Sequence, residues 1–130
     1  MSILTSAPPF ITGKIVQCNY PYKIKSKLFI FSFAKIDKET WKVEPSDAWQ
    51  DLKDFGGKGG FSKIVAMKRQ NKNLEVILGI GGWGAGSVVY SNMAKDEKKR
   101  EIFVKSAVEI VKKHKFDGFD LDWEYPGKKI

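Results

Sequence analysis

Residues 27–36, KLFIFSFAKI, carry apolar side chains on both faces of a two-residue repeat. Phe29, Phe31 and Phe33 fall on one side, with Leu28, Ile30 and Ala34 on the other. A strand apolar both ways must be covered both ways, which places it in the middle of a sheet with a layer on each face. Residues 74–80 form a second run of the same kind. Residues 61–71 carry Ile64, Val65 and Met67 at approximate helical spacing. A longer helix is predicted from about Asp96, a suitable N-cap, to His114, with Phe103, Ala107, Ile110 and Val111 as its buried stripe. His114 suits the negative end of that helix's dipole. The order strand, helix, strand, helix, strand from residue 27 onward predicts parallel βαβ units with right-handed crossovers, hence an α/β fold.

Residues 1–13 read as an irregular lead, 14–18 as a short strand, and 37–60 as a loop ending in a glycine-rich run. Only about seven residues separate Tyr20 from Lys27, whereas a parallel crossover needs roughly 10–12. Either the first strand lies elsewhere or the first βα unit is shortened.

The 130 residues are enough for one domain with a core. The net charge of +8 comes from dispersed Lys and Arg with no interleaved aromatic cluster, so nucleic-acid binding is not expected. No apolar run approaches the ~18 residues of a membrane span. Residues 1–10 lack the charged and apolar regions of a secretory signal. Cys18 is the single cysteine, which rules out an internal disulfide.

The last stretch, 116–126, reads FDGFDLDWEYP. As a strand it puts Asp120, Asp122 and Glu124 on one face and Phe119, Leu121 and Trp123 on the other. Successive acids lie roughly 6.6–6.8 Å apart, close enough to oppose each other's ionisation and keep a proton available for general acid catalysis. The plainer alternatives are a solvated acidic face and a Mg²⁺ or Mn²⁺ site. For the metal, no histidine or further acid cluster stands nearby to complete a ligand set.

Asp117-x-x-Asp120-x-Asp122-x-Glu124 resembles the D-x-x-D-x-D-x-E signature of family 18 glycoside hydrolases, and the whole DGFDLDWEYPG run is similar to the animal chitinases of that family. The resemblance implies a partial (β/α)8 TIM barrel of about the first four strands, the signature lying on the fourth and the first βα unit shortened. Residues 14–130 would then be an incomplete catalytic domain, because a whole barrel needs about 250 residues. Family members place a long helical segment where this chain passes from KIVQCNYPY to KSKLFIFSFA. They commonly pair a cysteine at the Cys18 position with one where Ser26 stands here, and carry a substrate-facing Tyr where Asn19 stands.

The run 78–87, LGIGGWGAGS, contains G-x-G-x-x-G at Gly79, Gly81 and Gly84. A dinucleotide site would use such glycines to bring backbone N–H groups to a pyrophosphate. Against that stand the Trp83 ring inside the loop, a helix predicted about a dozen residues too late, and Glu101 lying within that helix instead of at a strand end. The run is also similar to the chitinase S-x-G-G-W motif, with Gly79 replacing the usual Ser or Ala and Gly84 replacing a frequent Asn. By that resemblance Gly81 and Gly82 let the backbone approach the acidic strand, and Trp83 offers a face to a sugar.

The resemblance implies substrate-assisted, retaining hydrolysis of β-1,4 bonds between N-acetylglucosamine units. Glu124 would protonate the glycosidic oxygen, Asp122 orient the attacking acetamido group, and Asp120 share a proton with Asp122, while Asp117 supports the strand. Tyr125, Phe33, Trp83 and Trp49 would line the sugar site. No metal or cofactor is expected. The partner is chitin or a chito-oligosaccharide, the location extracellular, and an open half-barrel would self-associate through its uncovered face. A non-enzymatic chitin-binding lectin and an inert fragment are the other two expectations.

Overall fold

The computed structural model describes residues 10–12 and 27–127, with side-chain detail for 27–127. The resemblance-based departures at Cys18, Asn19 and Ser26, and the strand expected at 14–18, lie outside the described residues.

The central strand, β2 (Leu28–Ile36), pairs in parallel with β1 (Phe10–Thr12) on one side and β4 (Glu75–Gly81) on the other. β4 pairs in parallel with β5 (Gly118–Asp122), giving the order β1-β2-β4-β5. A three-residue strand, β3 (Val43–Pro45), runs antiparallel to β2 beyond this path. β1 lies inside the stretch expected to be irregular. Its Phe-Ile-Thr sequence suits a strand, and pairing there satisfies backbone groups that β2 would otherwise leave open.

One face of the sheet is packed by helices. Val76, Leu78 and Ile80 of β4 are 0% exposed and join Phe29, Phe31, Ala34 and Ile36 of β2 in the core. Helix α2 (Gly60–Ala66) contributes Phe61, whose ring meets Phe31 edge-on at 5.0 Å and Phe116 at 5.2 Å. Helix α4 (Glu97–His114) contributes Phe103, Ala107 and Ile110, as its apolar spacing predicts. Its start is fixed by the Asp96 carboxylate accepting from Lys99 N–H at 3.0 Å.

Strict alternation in β2 fails at one point. Phe31 pairs with Leu78 but Ala34 pairs with Ile80, so one extra residue is inserted between them. Ala34 is thereby turned onto the helix side, and Phe33 moves to the opposite face, away from Phe29 and Phe31. Its ring lies against Gly79 and Gly82. The peptide bond Ser32–Phe33 is cis.

The stretch expected to be loop from 37 to 60 contains β3, the short helix α1 (Ala48–Asp51) and a turn at Asp54–Gly56. β3 is held from a distance: the buried Ser106 hydroxyl of α4 accepts from Val43 N–H at 2.9 Å and donates to the Phe103 carbonyl at 2.9 Å. Helix α3 (Val88–Lys95) also departs from expectation, since it begins directly after the glycine-rich turn. The late-helix objection to a nucleotide loop therefore falls. The other two stand, with Trp83 in the turn Trp83–Ala85 and Glu101 within α4.

Candidate active site

β4 and β5 pair so that Gly79 lies opposite Asp120 and Gly81 opposite Asp122. Paired residues of a parallel ladder share a face, and this face is the one turned away from the helices. Each acid of β5 therefore stands beside a residue with no side chain. A Cβ on Gly79 would come within 3.1 Å of the Phe33 ring and 3.2 Å of Ile30 Cγ2. One on Gly81 would collide with the Asp122 carbonyl, and Gly81 has φ +122°. Gly82 N–H donates to that same carbonyl at 2.9 Å, carrying the ladder one residue past β4. The glycines thus clear the floor beside the acids and let the two backbones close.

Asp117 anchors the entry to β5. Its carboxylate accepts from Lys68 Nζ at 2.5 Å and from Val76 N–H at 2.8 Å, while its own N–H donates to the Val76 carbonyl at 2.8 Å. Burial works to raise its pKa, but the Lys68 and Val76 hydrogen bonds and the Lys68 charge outweigh it and hold the carboxyl below its ordinary value.

Asp122 behaves oppositely. Burial, then the charge of Glu124 and a hydrogen bond with that side chain, hold its carboxyl above its ordinary value. The partner of Asp122 here is Glu124, the next acid outward, while Asp120 stands exposed at mid-strand. Tyr90 of α3 approaches from the helix side. Its hydroxyl is buried without a hydrogen-bond partner among the described residues and is pushed up to about 12 by burial, then by the Asp122 charge.

The aromatic residues of the expected sugar site divide into two groups. Phe33 lies on the acid-bearing face, and Tyr125 directly follows Glu124 across a cis peptide bond with its ring 52% exposed. Trp83 is 71% exposed on the turn after β4. Trp49 sits apart on α1 at the end of the helix cap made by Asp47, 54% exposed, with Lys58 Nζ 4.5 Å from its ring centroid. Two residues missed in the sequence complete the surroundings. Ser87 and Tyr90, at the start of α3, touch Trp123 through a 2.6 Å hydrogen bond from the indole N–H and a stacked ring at 5.9 Å. The signal for them was their three-residue spacing in a stretch whose helix was itself not foreseen. Ser32 Oγ is a further buried hydroxyl without a partner among the described residues.

Together these groups set Asp122, its carboxyl held above the ordinary value, next to Glu124 on a floor cleared of side chains and beside exposed aromatic faces. That is equipment for general acid chemistry on a ring-shaped polar substrate.

The model of glycosyl hydrolases family 18 matches residues 13–129. "Probable chitinase 2" of Drosophila melanogaster is 42% identical over 100 residues, covering 77% of this chain and 21% of that protein. Group IV chitinase of Ostrinia furnacalis, solved in complex with allosamidin, superposes with a TM-score of 0.72 at 30% identity, over 79% of this chain and 26% of that one. A mutant of the second catalytic domain of Group II chitinase from the same species, in complex with penta-N-acetylchitooctaose, gives 0.69 at 34% identity, over 77% and 25%. The chain spans about a fifth to a quarter of the length of these three proteins. Among the described residues no helix is long and apolar enough to cross a membrane.

Proposed function

The chain belongs to glycosyl hydrolases family 18, and from that premise we propose that β5 and the residues after it are the proton-donating part of a chitinase site. The substrate class is chitin or a chito-oligosaccharide. Glu124 gives a proton to the glycosidic oxygen as the bond to the anomeric carbon breaks. The acetamido oxygen of the same sugar attacks that carbon, Asp122 holds the acetamido N–H and the developing positive charge, and water later opens the ring with retained configuration. Asp120 supports Asp122 from within the strand once Glu124 has given up its proton. Gly81 and Gly82 keep the floor clear, while Phe33, Trp83, Tyr125 and Trp49 offer faces to sugar rings.

The observation that carries this reading is the placing of Asp122 opposite Gly81 at the end of β5, with Glu124 near enough to help hold its carboxyl above the ordinary value. Parallel βα units with the acids at the carboxyl end of the last strand suit the first part of a (β/α)8 barrel, where such sites gather. Chitin is deposited outside cells, so the proposed place of action is extracellular.

These 130 residues alone offer one side of a sugar site, and we expect weak turnover or none from them. A fluorogenic chito-oligosaccharide assay tests both parts. Binding with weak or no release is the expected result. Strong turnover abolished by Glu124→Gln would overturn the expectation of weak activity, and neither binding nor turnover would overturn the chitinase assignment. A second reading, binding without cleavage, is favoured by the exposed rings of Trp83, Trp49 and Tyr125. Retention on chitin unaffected by Glu124→Gln in a form that never hydrolyses would select it.

A further inference from the structure

Glu124 stands between two residues held by one hydroxyl. The Trp123 indole N–H donates to Ser87 Oγ at 2.6 Å, and Ser87 Oγ donates in turn to the Tyr125 carbonyl at 3.1 Å. The side chain before the acid and the backbone after it are thus tied to the same atom. Ser87 is 8% exposed, so water does not compete well for either bond. One turn further along α3, the Tyr90 ring stacks on Trp123 at 5.9 Å and 25°.

The position of Ser87 sharpens the point. It is the N-cap residue of α3, where a serine ordinarily accepts a hydrogen bond from a backbone N–H of the first turn. Ser87 makes no such bond. Its hydroxyl is diverted from capping its own helix to holding the segment around the acid, although serine is the residue type that caps well.

We propose that Ser87 is a positioning residue for Glu124, setting the carboxyl's distance from Asp122 by fixing Trp123 and Tyr125 together. The proposal rests on the reading of Glu124 as the proton donor. A hydroxyl can accept one bond and donate another, and here both capacities are used. With the indole and the Tyr125 carbonyl both fixed, the acid keeps mainly its own side-chain torsions, which is the support a proton donor needs. Tyr90 contributes a wall of ring surface to Trp123 and no hydrogen bond.

Carboxyl-carbon NMR titration of Asp122 in the 130-residue chain reads this without any turnover. Ser87→Ala is expected to move the Asp122 midpoint down, because Glu124 loses its fixed place beside it. Ser87→Thr, which keeps the hydroxyl, should restore the midpoint. Tyr90→Phe, which keeps the ring, should leave the Trp123 indole N–H resonance in place. An Asp122 midpoint unchanged in a folded Ser87→Ala protein overturns the proposal. Should Ser87→Ala not fold, Trp123→Phe carries the test, since it removes the indole donor and keeps an aromatic ring: a downward shift supports the clamp and an unchanged midpoint overturns it. Failure of the chitinase reading is separable, because oligosaccharide binding by the unaltered chain reports on that alone.

Discussion

Gly81 and Asp122 face each other across the β4–β5 ladder, and the backbone of one occupies the space that a side chain on the other would need. The Gly82 N–H reaches the Asp122 carbonyl at 2.9 Å only because of that approach. Gly81→Ala would place a Cβ against this carbonyl at φ +122°, a conformation that residues with a Cβ rarely adopt. We expect a loss of about 2–4 kcal/mol in denaturant unfolding, combining backbone strain and overpacking. Gly84→Ala, where nothing lies within 4 Å, is the control and should cost far less.

Glu124→Gln removes the ionisable group beside Asp122 while keeping the shape. The folded-state pKa of Asp122 lies above the ordinary carboxyl value of 3.8, so its contribution to stability is complete below that value and is lost as pH rises through the folded pKa. In Glu124→Gln that loss should end at a lower pH and be smaller, without vanishing, because burial still raises the carboxyl. Urea unfolding across the acid range checks it. Wherever hydrolysis of a chito-oligosaccharide can be measured, the same substitution should lower it by about 10²–10⁴-fold.

Asp117 gives the opposite sign. Its folded-state pKa is depressed, so its stabilisation is present above the unfolded value near 3.8 and is lost as pH falls through the folded pKa. Asp117→Ala should cost about 1–2 kcal/mol at neutral pH, mostly from the unpartnered Val76 N–H. The Lys68 pair adds little, since both side chains are about a third exposed and screened by water. The difference from the unaltered chain should shrink as the solution is acidified.

Ser106→Ala tests the tie between β3 and α4. Removing the hydroxyl leaves Val43 N–H buried without its acceptor, at a cost of about 1–3 kcal/mol. Amide exchange at Val43 should accelerate well before that at Val76 or Leu78, whose pairing does not depend on Ser106.

Much of the layout could be read from side-chain periodicity. The stripe Phe103, Ala107, Ile110 and the cap at Asp96 gave α4, because there a local repeat coincides with a burial pattern, while β5 followed from the acid alternation from Asp120 alone, its residues being half-buried or exposed. The exchange of faces in β2 was not legible, since a single inserted residue leaves Phe29, Phe31 and Phe33 looking like one row. β3 was hidden for another reason. Three residues carry no periodicity, and the bond that holds Val43 comes from Ser106, sixty-three positions away. α3 was obscured by Val88 and Val89, β-branched residues with poor helix propensity, and its start is fixed by packing against Trp123. At the acidic row, sequence spacing gave the three carboxyls, but the strand ends at Asp122, so Glu124 is carried on the turn beyond it.

β5 ends the strand order among the described residues, leaving its far edge and the Phe119 and Leu121 side chains partly open to water. Burial therefore raises the Asp122 carboxyl in a setting that is still half-wet. Any chain that adds a strand to that edge will displace water from Asp122 and raise its proton affinity further. The proton affinity of Asp122 is thus a gauge of how completely the sheet has been closed.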